Sequence, residues 1–150
     1  MELLIKKLDE RAVVPKAATG GSAGMDLCAV LDEPLVLEPG CRAMVPTGLA
    51  IALPDNNLVA LIFARSGLAV KHGITLSNCV GVVDSDYRGE VKVGLINQSD
   101  KAYEIAPGER IAQMVIMPVV MATPTLCDEL PESERGAGGF GSTGRGVESK

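Results

Sequence analysis

The chain has 150 residues, a formal net charge of −5, 3% aromatic residues and no tryptophan. That length suits one domain able to bury roughly 70% of its unfolded surface, here around an aliphatic core. The acidic balance argues against a general nucleic-acid binder, which presents a basic face, and no apolar run reaches the roughly 20 residues needed to cross a bilayer.

Short apolar runs alternate with turn signals at intervals of about ten residues, the pattern of an all-β sandwich or barrel. The first runs are Leu3–Leu8, Met25–Val30, Leu35–Leu37, Ala43–Leu53 and Leu58–Ala64, separated by Thr19-Gly20-Gly21, Glu38-Pro39-Gly40 and Leu53–Asn57. Ser66–Lys71 reads as the one short helix, with Ser66 as its candidate cap. Ile74–Val83, Glu90–Ile96, Ala102–Ile105 and Ile111–Met121 follow, and Asp128–Arg135 reads as a brief helical turn. Ala43–Leu53 and Ile111–Met121 are almost wholly apolar on both faces, which suits strands covered on both sides. From Gly136 to Gly146 the chain holds six glycines and no apolar face, so this tail is expected to be flexible when alone.

The start Met1–Lys7 has no basic region leading into a long apolar stretch, so no secretory leader is expected. Cys28, Cys41, Cys79 and Cys127 lack C-x-x-C spacing, and the lone His72 cannot anchor a histidine metal site. Four thiols among apolar neighbours are expected to be free and buried, in a cytoplasmic setting.

Five polar clusters interrupt this pattern. Gly81–Val93 reads as a β-hairpin with Arg88-Gly89 at its turn. Asp84 follows two valines and is expected at the end of a buried strand, poised to orient a water or a metal. Tyr87 sits in the same polar turn, and the chain has only two tyrosines. Ala23–Leu27 puts Asp26 at the mouth of a strand. Arg65-Ser66-Gly67 stands where a strand ends and a helix begins, where backbone amides favour anions. Gly108–Met114 carries Gln113 on an apolar strand. The tail places Phe140 beside Arg135, Ser142 and Thr143, a ring with a cation and hydroxyls that together suit a nucleotide.

Each cluster alone has a purely local reading. Asp26 can cap a turn, Arg65 can form a surface ion pair, and Gln113 can satisfy a backbone group. Asp84 and Asp86 can bond their own turn, and His72 can serve the helix end.

In this order the clusters resemble the five signature motifs of the trimeric dUTPases. Ala23–Leu27, Ala64–Ala69, Asn78–Gly89, Gly108–Met114 and Arg135–Gly144 match the first to the fifth. The resemblance implies a jelly-roll-like β-sandwich over residues 1–134 and a lid over 135–150. It implies a homotrimer whose active sites are shared between subunits. The implied reaction is Mg²⁺-assisted hydrolysis of dUTP to dUMP and pyrophosphate, limiting uracil in DNA and supplying dUMP for thymidylate synthesis.

The resemblance also implies residue roles. Asp84 is the base that activates water for attack on the α-phosphorus, and Asp26 touches the hydrated Mg²⁺ through water. Arg65, Ser66, Gly67 and Gln113 contact the phosphate chain. Tyr87 packs under the deoxyribose and excludes a 2′-hydroxyl. Asn78 lies at the base pocket, where hairpin backbone reads the edge of uracil, and Val83 and Lys92 also bind substrate. Phe140 stacks on uracil, and Arg135, Gly141, Ser142 and Thr143 complete the lid's grip on substrate.

Two alternatives share the fold: a dCTP deaminase, which needs a glutamate such as Glu90 near the base pocket, and a nucleotide-responsive trimeric binding module. A P-loop hydrolase is excluded, because no Gly-Lys-Ser/Thr follows the glycines.

Overall fold

The structure, a computed structural model, describes residues 1–139. Phe140, Gly141, Ser142 and Thr143 lie outside the described residues. The elements are β1 (Leu4–Lys7), β2 (Met25–Cys28), β3 (Leu35–Leu37), β4 (Arg42–Ala52), β5 (Leu58–Ala64), α1 (Ser66–His72), β6 (Ile74–Leu76), β7 (Gly81–Val83), β8 (Glu90–Asn97), β9 (Tyr103–Ile105) and β10 (Arg110–Pro118). They form a jelly-roll-like sandwich of two four-stranded antiparallel sheets, ordered β1-β4-β8-β6 and β2-β10-β5-β7, with a small β3-β9 pair.

The core is aliphatic, as the composition requires. Leu27, Val45, Leu49, Ile74, Val93, Leu95, Ile105, Ile111 and Met114 are among its fully buried side chains. One buried polar residue organises it. Asn97 donates through Nδ2 to the carbonyls of Leu37 (2.8 Å) and Lys101 (2.7 Å), and its Oδ1 accepts from the amide and hydroxyl of Ser99. Every hydrogen-bonding group of that amide therefore has a partner, which is the condition for burying it without a desolvation penalty.

Several local expectations need correction. The apolar run Ile74–Val83 is two strands, because Cys79 turns the chain at φ 65° and carries it from one sheet to the other. Ser66 does not cap α1. Arg65 holds the cap position in extended conformation without a side-chain cap bond, and Ser66 lies inside the first turn. Gly73 closes the helix at φ 68°, where a side chain would strain the backbone. β10 ends at Pro118, and Val120, Met121, Leu126 and Leu130 beyond it are exposed. Asp128–Arg135 contains bends and the start of a turn but no helix.

Only Cys28 is buried; Cys41, Cys79 and Cys127 are exposed, because they lie in turns or irregular chain rather than within strands. His72 stacks against Tyr103 with ring centroids 4.9 Å apart, which gives it a local role at the helix end. Among the described residues, no helix is long and apolar enough to cross a membrane.

Candidate active site

Gly81–Val93 is not a paired hairpin. β7 pairs with β5 and β8 pairs with β4, so the two arms belong to opposite sheets and diverge. Their divergence opens a cavity of about 480 Å³, lined by Met44, Asn78, Gly81–Asp84, Tyr87, Glu90–Lys92 and Gly94, among others. Both arms bring open backbone edges to it. β7 is the outer strand of its sheet. β6 pairs with β8 only as far as Leu76↔Leu95, so on that side β8 has no strand neighbour between Glu90 and Val93. Unpaired amides and carbonyls at a strand edge are a ready template for a planar ligand with its own donors and acceptors.

The turn between the arms is tightly held. The Tyr87 amide donates to the Asp84 carbonyl at 3.2 Å. Arg88 donates through Nη1 to the carbonyls of Ser85 (2.7 Å) and Tyr87 (2.9 Å), which explains an arginine the motifs leave without a role. The Tyr87 hydroxyl donates to the Glu90 carbonyl at 3.1 Å, laying the ring across Gly89. Tyr87 is 45% exposed, so one face is free for a ligand.

Asp84 is exposed, and the strand before it is an edge on which Val82 is 64% exposed. The expectation of a buried strand end is therefore wrong: Val82 and Asp84, two residues apart, share the outward side of the strand, while Val83 between them packs against the core. The Asp84 carboxylate makes no hydrogen bond or ion pair with a described residue and stands at the cavity wall.

A second cluster forms at the other end of β5. In the sheet register Gln113 lies between Asp26 of β2 and Phe63 of β5, and Arg65 follows β5 directly. Arg65 Nε donates to Asp26 Oδ1 at 2.8 Å, and Arg110 Nη1 to Asp26 Oδ2 at 3.1 Å. Two guanidinium groups thus converge on one carboxylate, with Ser66 and Gly67 exposed beside them. Sequence reasoning missed Arg110. Simple alternation along β10 would set Arg110 on the face opposite Gln113; the bulge between Arg110 and Ala112 pairs it with Cys28 and brings it to the face of Asp26. Burial, aided by the Asp26 carboxylate, pushes the Cys28 thiol up.

Gln113 donates through Nε2 to the Ala64 carbonyl at 2.9 Å, so part of its amide serves the backbone. A Cβ at Gly24 would overlap Gln113 Oε1 and lie 3.2 Å from its Cδ, so glycine there is required for the amide to lie where it does. Gln113 Oε1 has no hydrogen-bond partner among the described residues.

A directly ligated metal does not fit these residues. No group of three or more His, Cys, Asp or Glu side chains among the described residues is placed to hold one. Asp26 is a single carboxylate already facing two arginines. Its remaining lone pairs fit the waters of a hydrated cation whose direct ligands come from a phosphate chain.

The two clusters do not meet within one chain. β7 runs antiparallel to β5 with Val83 opposite Ala60, so Asp84 lies still further from Arg65. From Ala60 to Arg65 the strand advances about 16 Å at about 3.3 Å per residue. Arg135 is exposed and has no hydrogen bond from its side chain to a described residue.

Comparison with known proteins matches this arrangement to one family. The dUTPase family model matches residues 10–144. The chain is 55% identical over 148 residues to the deoxyuridine 5′-triphosphate nucleotidohydrolase of Burkholderia mallei (strain SAVP1), covering 97% of this chain and 100% of that one. Among solved structures, the Staphylococcus bacteriophage 80alpha dUTPase with dUpNHpp superposes with a TM-score of 0.87 at 29% identity, covering 96% of this chain and 99% of that chain. A mutant dUTPase from phage phi11 of S. aureus, described with a structural Mg(II) ion, shares the fold with a TM-score of 0.79 at 23% identity, covering 88% of this chain and 100% of that chain. The chain belongs to the dUTPase family.

Proposed function

We propose that this dUTP diphosphatase hydrolyses dUTP to dUMP and pyrophosphate at sites built from more than one copy of the chain, three in the full assembly. The observation that carries the proposal is the pairing of two incomplete half-sites at opposite ends of β5: a base-and-sugar cavity with a carboxylate that no described residue engages, and an arginine-rich phosphate cradle. Each half lacks what the other offers.

In this reading uracil enters between the open edges of β7 and β8. Backbone groups near Val83 and Lys92 read its acceptor–donor–acceptor edge, and Asn78 closes the pocket. Cytosine reverses part of that pattern and leaves buried groups unpaired, costing about 1–3 kcal/mol each. Tyr87 lies under the deoxyribose. Asp84, unencumbered by any ion pair with a described residue, accepts a proton from a water aligned on the α-phosphorus, a role worth about 10²–10⁴-fold.

Arg65, Ser66, Gly67 and Gln113 of another copy hold the phosphate chain, and the planar guanidinium suits bidentate contacts to its oxygens. Mg²⁺, bound mainly by phosphate oxygens, would supply charge neutralisation. Asp26 holds its waters and keeps Arg65 oriented. Phe140 and Arg135 with Gly141, Ser142 and Thr143 close over the nucleotide and exclude water.

The deaminase alternative meets a specific obstacle. Glu90, the one candidate glutamate, accepts the Gly48 amide on Oε1 at 2.9 Å and faces Lys92 Nζ at 3.4 Å on Oε2. It holds the β4 bulge at Gly48 and is not free to activate water. The test measures ammonia and pyrophosphate from dUTP, dCTP, dTTP and UTP, with and without chelator. Pyrophosphate from dUTP alone, abolished by chelator, is expected. Ammonia from dCTP would overturn the assignment.

A further inference from the structure

We infer that Gly89 is a positioning residue for sugar discrimination, present because the Tyr87 ring occupies the space a side chain would take. This rests on the reading of Tyr87 as the group beneath the deoxyribose.

Gly89 is not among the glycines of positive φ, which are Gly40, Gly48, Gly73, Gly108 and Gly136. Its backbone conformation is one that any residue adopts, so turn geometry does not demand glycine. Space does. A Cβ at Gly89 would overlap the Tyr87 hydroxyl and lie 2.6 Å from Cζ and 3.0 Å from Cε2. Real Cβ atoms essentially never approach another heavy atom that closely.

The ring cannot yield by moving its backbone. Its amide is tied to Asp84 and its carbonyl to Arg88, within the turn that Arg88 also anchors at Ser85. It can yield only by swinging about its own side-chain torsions, which breaks the hydroxyl's bond to the Glu90 carbonyl. Gly89→Ala therefore displaces the ring and leaves the turn. A displaced ring no longer occupies the volume where a 2′-hydroxyl would collide, and the barrier against ribonucleotides falls. Gly89 itself touches no substrate atom in this account.

The experiment is a double-mutant cycle read as the ratio of kcat/KM for dUTP to that for UTP. Wild type, Gly89→Ala, Tyr87→Ala and the double variant are compared. Gly89→Ala is expected to lower the ratio by about tenfold or more, the scale on which one misfitted carbon alters discrimination in a pocket. The double variant is expected to match Tyr87→Ala, because with the ring gone the methyl has nothing to displace. A lowered ratio in Tyr87→Ala with an unchanged one in Gly89→Ala overturns the role of Gly89 and spares that of Tyr87. An unchanged ratio in Tyr87→Ala overturns the sugar reading of Tyr87, and Gly89 with it. If Gly89→Ala fails to fold, removal of the ring in the double variant is expected to restore folding. Failure of both would place the cause in the backbone and overturn the inference.

Discussion

Asp84→Asn is expected to lower dUTP turnover by at least about a hundredfold, the smaller end of what a positioned general base contributes. Nucleotide affinity is expected to stay within a few-fold, read by calorimetry with a non-hydrolysable α,β-imido analogue. The split follows from the surroundings of the residue. The carboxylate is exposed, accepts no hydrogen bond from a described residue and supports no neighbour, so its amide replacement disturbs neither the turn nor the cavity. The Asp84 carbonyl that receives the Tyr87 amide is kept in either variant. Near-normal turnover would remove Asp84 as the base, and an equal loss of affinity would make it a binding group.

Truncation after Glu134 is expected to leave a folded, assembled protein with dUTP turnover reduced at least about tenfold. Loss of the Arg135 contact to phosphate proposed above would alone be worth about 1.5–3 kcal/mol by the usual scale of charged hydrogen bonds. The loss of the lid over the site adds to it. Among the described residues the buried hydrophobic side chains run from Ala12 to Met114, all of which the truncation keeps. Circular dichroism and gel filtration would check folding and assembly. Full activity in the truncated protein would end the lid proposal.

Much of the architecture was legible because it rests on period and punctuation. Alternating apolar runs marked the strands closely, from Leu35–Leu37 to Leu58–Ala64, and the absence of tryptophan foretold an aliphatic core. What failed were features set by partners distant in sequence. Gly81–Val93 looks like a hairpin locally, yet each arm finds a better neighbour elsewhere, β5 for one and β4 for the other. That tertiary choice turns a hairpin into a cavity. The exposure of Asp84 follows from its sharing the outward side of β7 with Val82, and two adjacent valines do not reveal which of them faces the core. Cysteine burial failed similarly, because apolar neighbours in sequence do not cover a thiol placed in a turn. Arg110 was missed because its target, Asp26, lies across a bulged strand pair. In each case the residue type was informative and the geometry was non-local.

The separation of Arg65 from Asp84 along β5 is the central structural claim, and subunit mixing tests it. Arg65→Ala and Asp84→Asn proteins, each inactive alone, are unfolded together in equal amounts and refolded, and pyrophosphate release from dUTP is measured. If each site takes Arg65 from one copy and Asp84 from another, random assembly of a symmetric oligomer leaves about one quarter of the sites intact. The mixture is then expected to regain about that fraction of wild-type activity. A mixture no more active than either variant alone, with exchange verified by mass spectrometry, would mean that both residues act from the same chain and would contradict the account.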